Sequence, residues 1–327
     1  MSSGMMFVLL LLIPVLTGIF SQFSSSQRTA LLMSVTGVFM TALIGCYAIL
    51  MTFTHGQLFA FSDWLFLDAL SAWHLAVMLI VFCLSSLFAL VYFGEEMREK
   101  KLSVKQAKTF AGLWSPAMAA MLLVLVSNNL GIMWVGMEAT TLLTSFLVCV
   151  RISRDSLEAT WKYMLICSVG IGFAFLGTML MRLAAKDLPL DPNQALLWTN
   201  LMANTAFLSP ALVKAAFIFA LVGYGTKAGL APMHSWLPDA HSKAPSPVSA
   251  IFSGFMLNTA LYCIMRYIPI TEETMKHSGW ALRFLTGFGI FSILMAAAFI
   301  LFQHDIKRFL AYCSVEHIGI IALGLGL

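Results

Sequence analysis

What most constrains this chain is a succession of apolar runs, each near the roughly 20 residues a helix needs to cross a bilayer. The first, residues 5–20, reads MMFVLLLLIPVLTGIF. It lacks the basic start and the A-x-A end of a cleaved signal peptide, so it reads as a first span. Further runs cover about 30–53, 66–93, 109–127, 130–150 and 156–183. A seventh opens at Pro210 behind Ser209, an N-cap followed by a first-turn proline, and an eighth opens in the same way at Pro247 and reaches about Tyr267. The last two cover about 280–302 and everything after Asp305. Only 10% of the residues are charged and 60% are hydrophobic, against about 25% charged in a soluble domain. The fold class implied is all-α, a polytopic membrane protein of about ten transmembrane helices.

Lysine and arginine set the expected orientation. If the run from Glu95 to Lys108 is cytoplasmic, alternation places Arg28, Arg151, Arg154, Lys243, Lys307 and Arg308 inside as well. Arg182, Lys186, Arg266, Lys276 and Arg283 then fall outside, which puts the N-terminus outside. The sequence closes on GLGL within an apolar run, consistent with a tenth helix stopping there or with a chain cut short.

Several functions are excluded. The six cysteines lie scattered through apolar runs without a C-x-x-C, so neither an iron–sulfur nor a zinc signature is present. No G-x-G-x-x-G or Walker loop supports nucleotide binding. The net charge of +4 gathers on no basic, aromatic face of the kind that binds nucleic acid. The expectation is a chain without cofactor or metal and without a hydrolytic site.

Against this background one stretch is anomalous. Gly223 to Ser253, GYGTKAGLAPMHSWLPDAHSKAPSPVSAIFS, holds two lysines, an aspartate, two histidines and four prolines between apolar spans. A bilayer tolerates polar groups and irregular backbone only where protein or a water-filled cavity encloses them. Gly225, Gly229 and Pro232 weaken the helix around Lys227, and Pro238 interrupts the helix again six residues beyond Pro232. An unwound turn here would expose carbonyls beside Lys227, as in broken transporter helices. A straight helix from Pro210 would instead carry Lys227 about 25 Å, to where it could snorkel. Lys214 is 13 positions earlier, about 220° around the helix, and reads as interfacial.

Other ionisable groups sit inside spans. Glu138, nine residues past Asn129, lies about 13 Å into the fifth span. A carboxylate at that depth costs several kcal/mol unless paired, by the order-of-magnitude scale for charges in hydrocarbon. Paired with a lysine, it can exchange a proton. Trp236, Asp239, His234 and His241 sit in PMHSWLPDAH, at a spacing unlike a zinc motif and suited to a proton carrier or to pinning a broken helix. Asn258 can hold water near the middle of the eighth span, and Glu316 and His317 lie about a dozen residues into the tenth. Asp68 opens the third span, and Glu158 and Lys162 are four apart at the start of the sixth.

KAGLAPMHSWLPDAHSKAPSPVSA, WVGMEATTLLTSFLV and HDIKRFLAYCSVEHIGIIALG resemble the antiporter-like membrane subunits of respiratory complex I, Mrp cation/proton antiporters and membrane-bound hydrogenases. The match runs from about residue 60 to the end. GYGTKAG, SVEHIG and EATWKY are most similar to the hydrogenase-4 component F subgroup of formate-hydrogenlyase-type complexes. The resemblance implies two inverted five-helix repeats: three N-terminal spans and a cytoplasmic loop (1–108), a first repeat (109–268) and the start of a second (269–327). It implies that Glu138 and Lys227 form a switching ion pair and that His241 stands near the entrance of the path. Together with His234, Asn258, Glu316 and His317 these residues would line a proton route, with Gly225, Gly229, Pro232, Trp236, Pro238 and Asp239 shaping the break. Asn258 departs from the pattern, since many relatives carry a lysine or histidine there. The implied function is proton translocation in a bacterial or archaeal inner membrane, coupled to electron transfer in other membrane subunits and a peripheral redox arm. A cation/proton antiporter subunit and a non-transporting membrane anchor are the alternatives.

Overall fold

The structure is a computed structural model and describes residues 2–327. Its elements are α1 (Ser3–Ser21), α2 (Gln27–His55), β1 (Leu58–Ala60), β2 (Leu65–Leu67), α3 (Ala69–Arg98), α4 (Val104–Val126), α5 (Leu130–Val148) and α6 (Arg154–Ala184). Next come α7 (Trp198–Ala203), α8 (Pro210–Ala228), α9 (Trp236–Lys243), α10 (Ser246–Ile251), α11 (Leu257–Thr274), α12 (Trp280–Ile300) and α13 (Ile306–Gly326). Among the described residues ten helices are long and apolar enough to cross a membrane, α10 and α11 counting as one through the π turn Phe252–Met256. The chain is an all-α polytopic membrane protein.

The structure departs from the sequence expectations at three places. The charged run after the third span is mostly helical: α3 continues to Arg98, and α4 starts at Val104 behind a capping box between Ser103 and Gln106. Charged side chains can reach water from a helix end as well as from a loop, so charge alone marked the boundary too early. The eighth span continues past Tyr267 through Pro269 to Thr274, where the Thr271 and Thr274 hydroxyls donate to the Tyr267 and Ile270 carbonyls. The strands β1 and β2, paired antiparallel with Phe59 opposite Phe66, have no counterpart in the sequence expectations. Three residues are too few to display an alternating pattern.

The chain forms two compact units. The first comprises residues 1–127, 139–160 and 243–255. Its helices meet through small and polar side chains, as membrane helices do without a hydrophobic drive between them. The Ser34 and Ser115 hydroxyls bond at 2.6 Å, and the Trp114 indole donates to Ser86 Oγ at 2.9 Å. Phe93, Phe110 and Trp114 form a continuous aromatic contact. Arg151 pairs with Glu96, and Lys243 with Asp155 at 2.8 Å. Asp68 serves as the N-cap of α3, accepting from the Ser71 N–H at 2.8 Å.

The second unit comprises residues 128–138, 161–242 and 256–327. Asn129 starts α5 by accepting the Gly131 N–H at 2.8 Å on its side chain. Glycines let helices cross closely. A Cβ on Gly223 of α8 would lie 2.4 Å from the Ala174 nitrogen and 2.6 Å from the Gly170 carbonyl oxygen of α6. Gly289 and Gly319 allow the same approach between α12 and α13. Arg266 is buried in this unit, its guanidinium 4.6 Å from the Trp198 ring centre and 5.0 Å from that of Tyr262.

Candidate functional site

The centre of the second unit is the end of α8. Gly229 takes a left-handed conformation, φ +80°, which ends the helix in a Schellman motif. The Leu230 N–H donates to the Gly225 carbonyl at 2.9 Å and the Gly229 N–H to that of Thr226 at 3.2 Å. The Trp236 indole donates to the same Thr226 oxygen at 2.9 Å. The expected break is therefore present: α8 stops at Ala228, and α9 resumes at Trp236. Lys227 lies in the last turn of α8, where the carbonyl end of the helix dipole favours a cation.

Lys227 does not snorkel; it is 0% exposed. Its ammonium donates to the Tyr163 hydroxyl and lies 4.6 Å from the centre of that ring and 6.0 Å from the Trp236 ring. Tyr163 and Trp236 stack at 4.6 Å, so α6 and α9 together form one wall. The Tyr163 hydroxyl also bonds to Met256 Sδ at 3.6 Å. The charged forms of Lys227 and of Glu138 on α5 stabilise each other electrostatically. Glu138 Oε1 accepts from the Ser168 hydroxyl at 3.2 Å, and its buried Oε2 accepts no hydrogen bond among the described residues. An amine and a carboxyl group carried by different helices thus face one interior region.

The other expected residues divide. Asp239 on α9 is shared by Lys162 of α6, at 3.1 Å, and Arg308 of α13. His234 stands in an aromatic box, its ring centre 6.4 Å from Phe299 and 6.0 Å from Tyr312. His241 is buried and feels the charge of Lys307. Both histidines lie between the spans. Burial lowers the imidazole pKa of His234, and burial followed by Lys307 lowers that of His241 to about 4. Each is therefore neutral near pH 7. Pro232 is exposed; Pro238 does not interrupt the helix as expected but lies buried in the first turn of α9, where the missing N–H has no intrahelical partner to lose. Asn258 is half-buried in the first turn of α11, after the π turn. Glu316 is half-buried and His317 exposed on α13, and neither joins the Lys227 cluster. Lys214 lies 5.7 Å from the Trp280 ring, as suits an interfacial lysine. Among the described residues no three His, Cys, Asp or Glu side chains converge as a metal set would.

Tyr163, Cys167 and Ser168 are site residues that the sequence expectations miss. The signal is present: Thr160, Tyr163, Cys167 and Thr178 recur at helical spacing on the buried face of α6. Lys227, the partner of Tyr163, lies 64 positions away, beyond any local pattern.

Residues 127–327, more than half of the chain, match the family described as NADH:quinone oxidoreductase/Mrp antiporter, TM. The chain is 41% identical over 243 residues to a hydrogenase-4 component F homolog of Methylacidiphilum infernorum, covering 74% of this chain and 51% of that protein. It is 32% identical over 270 residues to hydrogenase-4 component B of Escherichia coli, covering 82% of this chain and 38% of that protein. It thus spans about half the length, or less, of these relatives. A subunit of an archaeal respiratory complex, the membrane-bound sulfane sulfur reductase, superposes with a TM-score of 0.82 at 22% identity, over 98% of this chain and 64% of that one. The last likeness concerns the fold alone. With the family match over its last two hundred or so residues, the chain belongs to the NADH:quinone oxidoreductase/Mrp antiporter transmembrane family.

Proposed function

We propose that this chain is a proton-translocating membrane subunit of a redox-driven complex of the hydrogenase-4 or formate-hydrogenlyase type. It lies in a bacterial or archaeal inner membrane with its N-terminus outside and works beside other membrane subunits and a peripheral redox arm. The observation that carries this reading is the enclosed Lys227 ammonium at a helix break, held by Tyr163 and Trp236 and coupled to Glu138. A charge buried this way answers to its neighbours, because Coulomb energies grow as the surroundings lose water. Protonation of one partner alters the proton affinity of the other, so electron transfer elsewhere can drive a proton through the pair. His234, His241, Asn258, Glu316 and His317 are proposed to line or extend the route. Its segment boundaries would be those of the sequence reading: 1–108, 109–268 and 269–327.

The test is proton uptake into inverted membrane vesicles driven by the native redox reaction. Glu138→Gln and Lys227→Met are each expected to reduce uptake by about 10²-fold, the scale of losing a positioned proton donor, while the complex still assembles. Uptake at the parental rate in both variants would leave a membrane anchor. Uptake that requires sodium would favour an antiporter.

A further inference from the structure

We propose that Asp239 is a positioning residue: its carboxylate, held between a cation of α6 and a cation of α13, clamps α9 so that Trp236 and Tyr163 enclose the Lys227 ammonium. This rests on the proposed proton role of Lys227.

The geometry carries it. Asp239 Oδ2 accepts from Lys162 Nζ at 3.1 Å, and Oδ1 accepts from Arg308 Nη1. The carboxylate itself is only 21% exposed. Trp236 and Asp239, three positions apart on α9, share a face. They meet consecutive residues of α6, Trp236 stacking on Tyr163 and Asp239 binding Lys162. The short arm α9 is therefore fixed to α6 at two adjacent points, one aromatic and one ionic. The Arg308 side is prepared as well. Asp305 caps α13 by accepting the Lys307 and Arg308 N–H groups, and Gln303 Oε1 accepts from Arg308 Nε at 3.3 Å. The guanidinium thus presents to Asp239 from a fixed direction, tying α13 to the Lys227 enclosure. Without the carboxylate, Lys162 and Arg308 are left facing each other across α9, and like charges repel.

The experiment uses the full chain in its native complex, in inverted vesicles, reading assembly, electron transfer and proton uptake together. Asp239→Asn is expected to assemble and pass electrons but to translocate about tenfold more slowly, since small misplacements near a reacting group have effects of that order. Asp239→Glu is expected to restore most of the rate. Lowered uptake with electron transfer intact is a result that a merely structural role would not give. Uptake within about twofold of the parent for Asp239→Asn would overturn the proposal, twofold being well inside the range positioning effects exceed. If Asp239→Asn fails to assemble, Lys162→Gln and Arg308→Gln are read instead: slowed uptake in an assembled complex supports the clamp, and parental uptake in both overturns it. Lys227→Met serves as the control. Parental uptake in that variant sinks the proton role of Lys227 itself, whereas its loss beside a parental Asp239→Asn sinks only the clamp.

Discussion

Lys227 is fully buried, and the stability of its protonated form depends on what encloses it. The Tyr163 oxygen accepts one of its three N–H bonds, and two aromatic faces and the carbonyl end of α8 supply further negative potential. A hydrogen bond to a charged group is worth about 1.5–3 kcal/mol. Tyr163→Phe keeps the ring and the stacking on Trp236 but removes that acceptor. It is expected to slow redox-driven proton uptake by roughly tenfold or more, by the same scale, with assembly unchanged; a parental rate would remove Tyr163 from the site. His241 makes a separate prediction at this scale. Its folded pKa of about 4 lies below the ordinary 6.5. The unfolded chain therefore binds a proton as pH falls through 6.5 while the folded chain binds none until about 4. Stability is present above 6.5 and declines across that window. The melting temperature of the detergent-solubilised complex is expected to fall between these pH values, and His241→Gln should flatten the fall. A parallel fall in both proteins would contradict it.

The break in α8 is legible in the sequence because it is written locally. Gly225, Gly229, Pro232 and Pro238 lie within fourteen residues, and Gly229 occupies the one left-handed position that ends the helix. The spans are legible too, because a bilayer imposes a length. The surroundings of Lys227 are not, because α6 and α9 supply them from different parts of the chain. Tyr163 lies inside a run that also serves as an ordinary apolar span. Lys162 is matched by spacing to Glu158, one turn away, but its ion pair with Asp239, 77 positions distant, leaves no local sign. The crossing of α6 and α8 offers a test of packing. Gly223→Ala places a Cβ against the α6 backbone and is expected to destabilise by about 1–3 kcal/mol, the usual cost of overpacking. Gly172→Ala on α6 meets no atom within 4 Å and should be neutral or mildly stabilising, since alanine is the better helix former. Equal melting temperatures for the two variants would show that the crossing is looser than described.

For the whole molecule, the proposed charge movement would be shared by several helices of the second unit. α5 brings Glu138, α6 brings Tyr163 and Ser168, α8 brings Lys227, and α9 brings Trp236. In the proposed route no single helix holds a complete relay. The central claim is that Glu138 and Lys227 act as one unit. The measurement that tests it most directly is a double-mutant cycle on the rate of redox-driven proton uptake, using the conservative variants Glu138→Asp, Lys227→Arg and their combination. The account predicts a coupling of about 1 kcal/mol or more, with the double variant slowed by less than the product of the two single effects. Effects that add to within about 0.3–0.5 kcal/mol, as expected for independent sites, would contradict it.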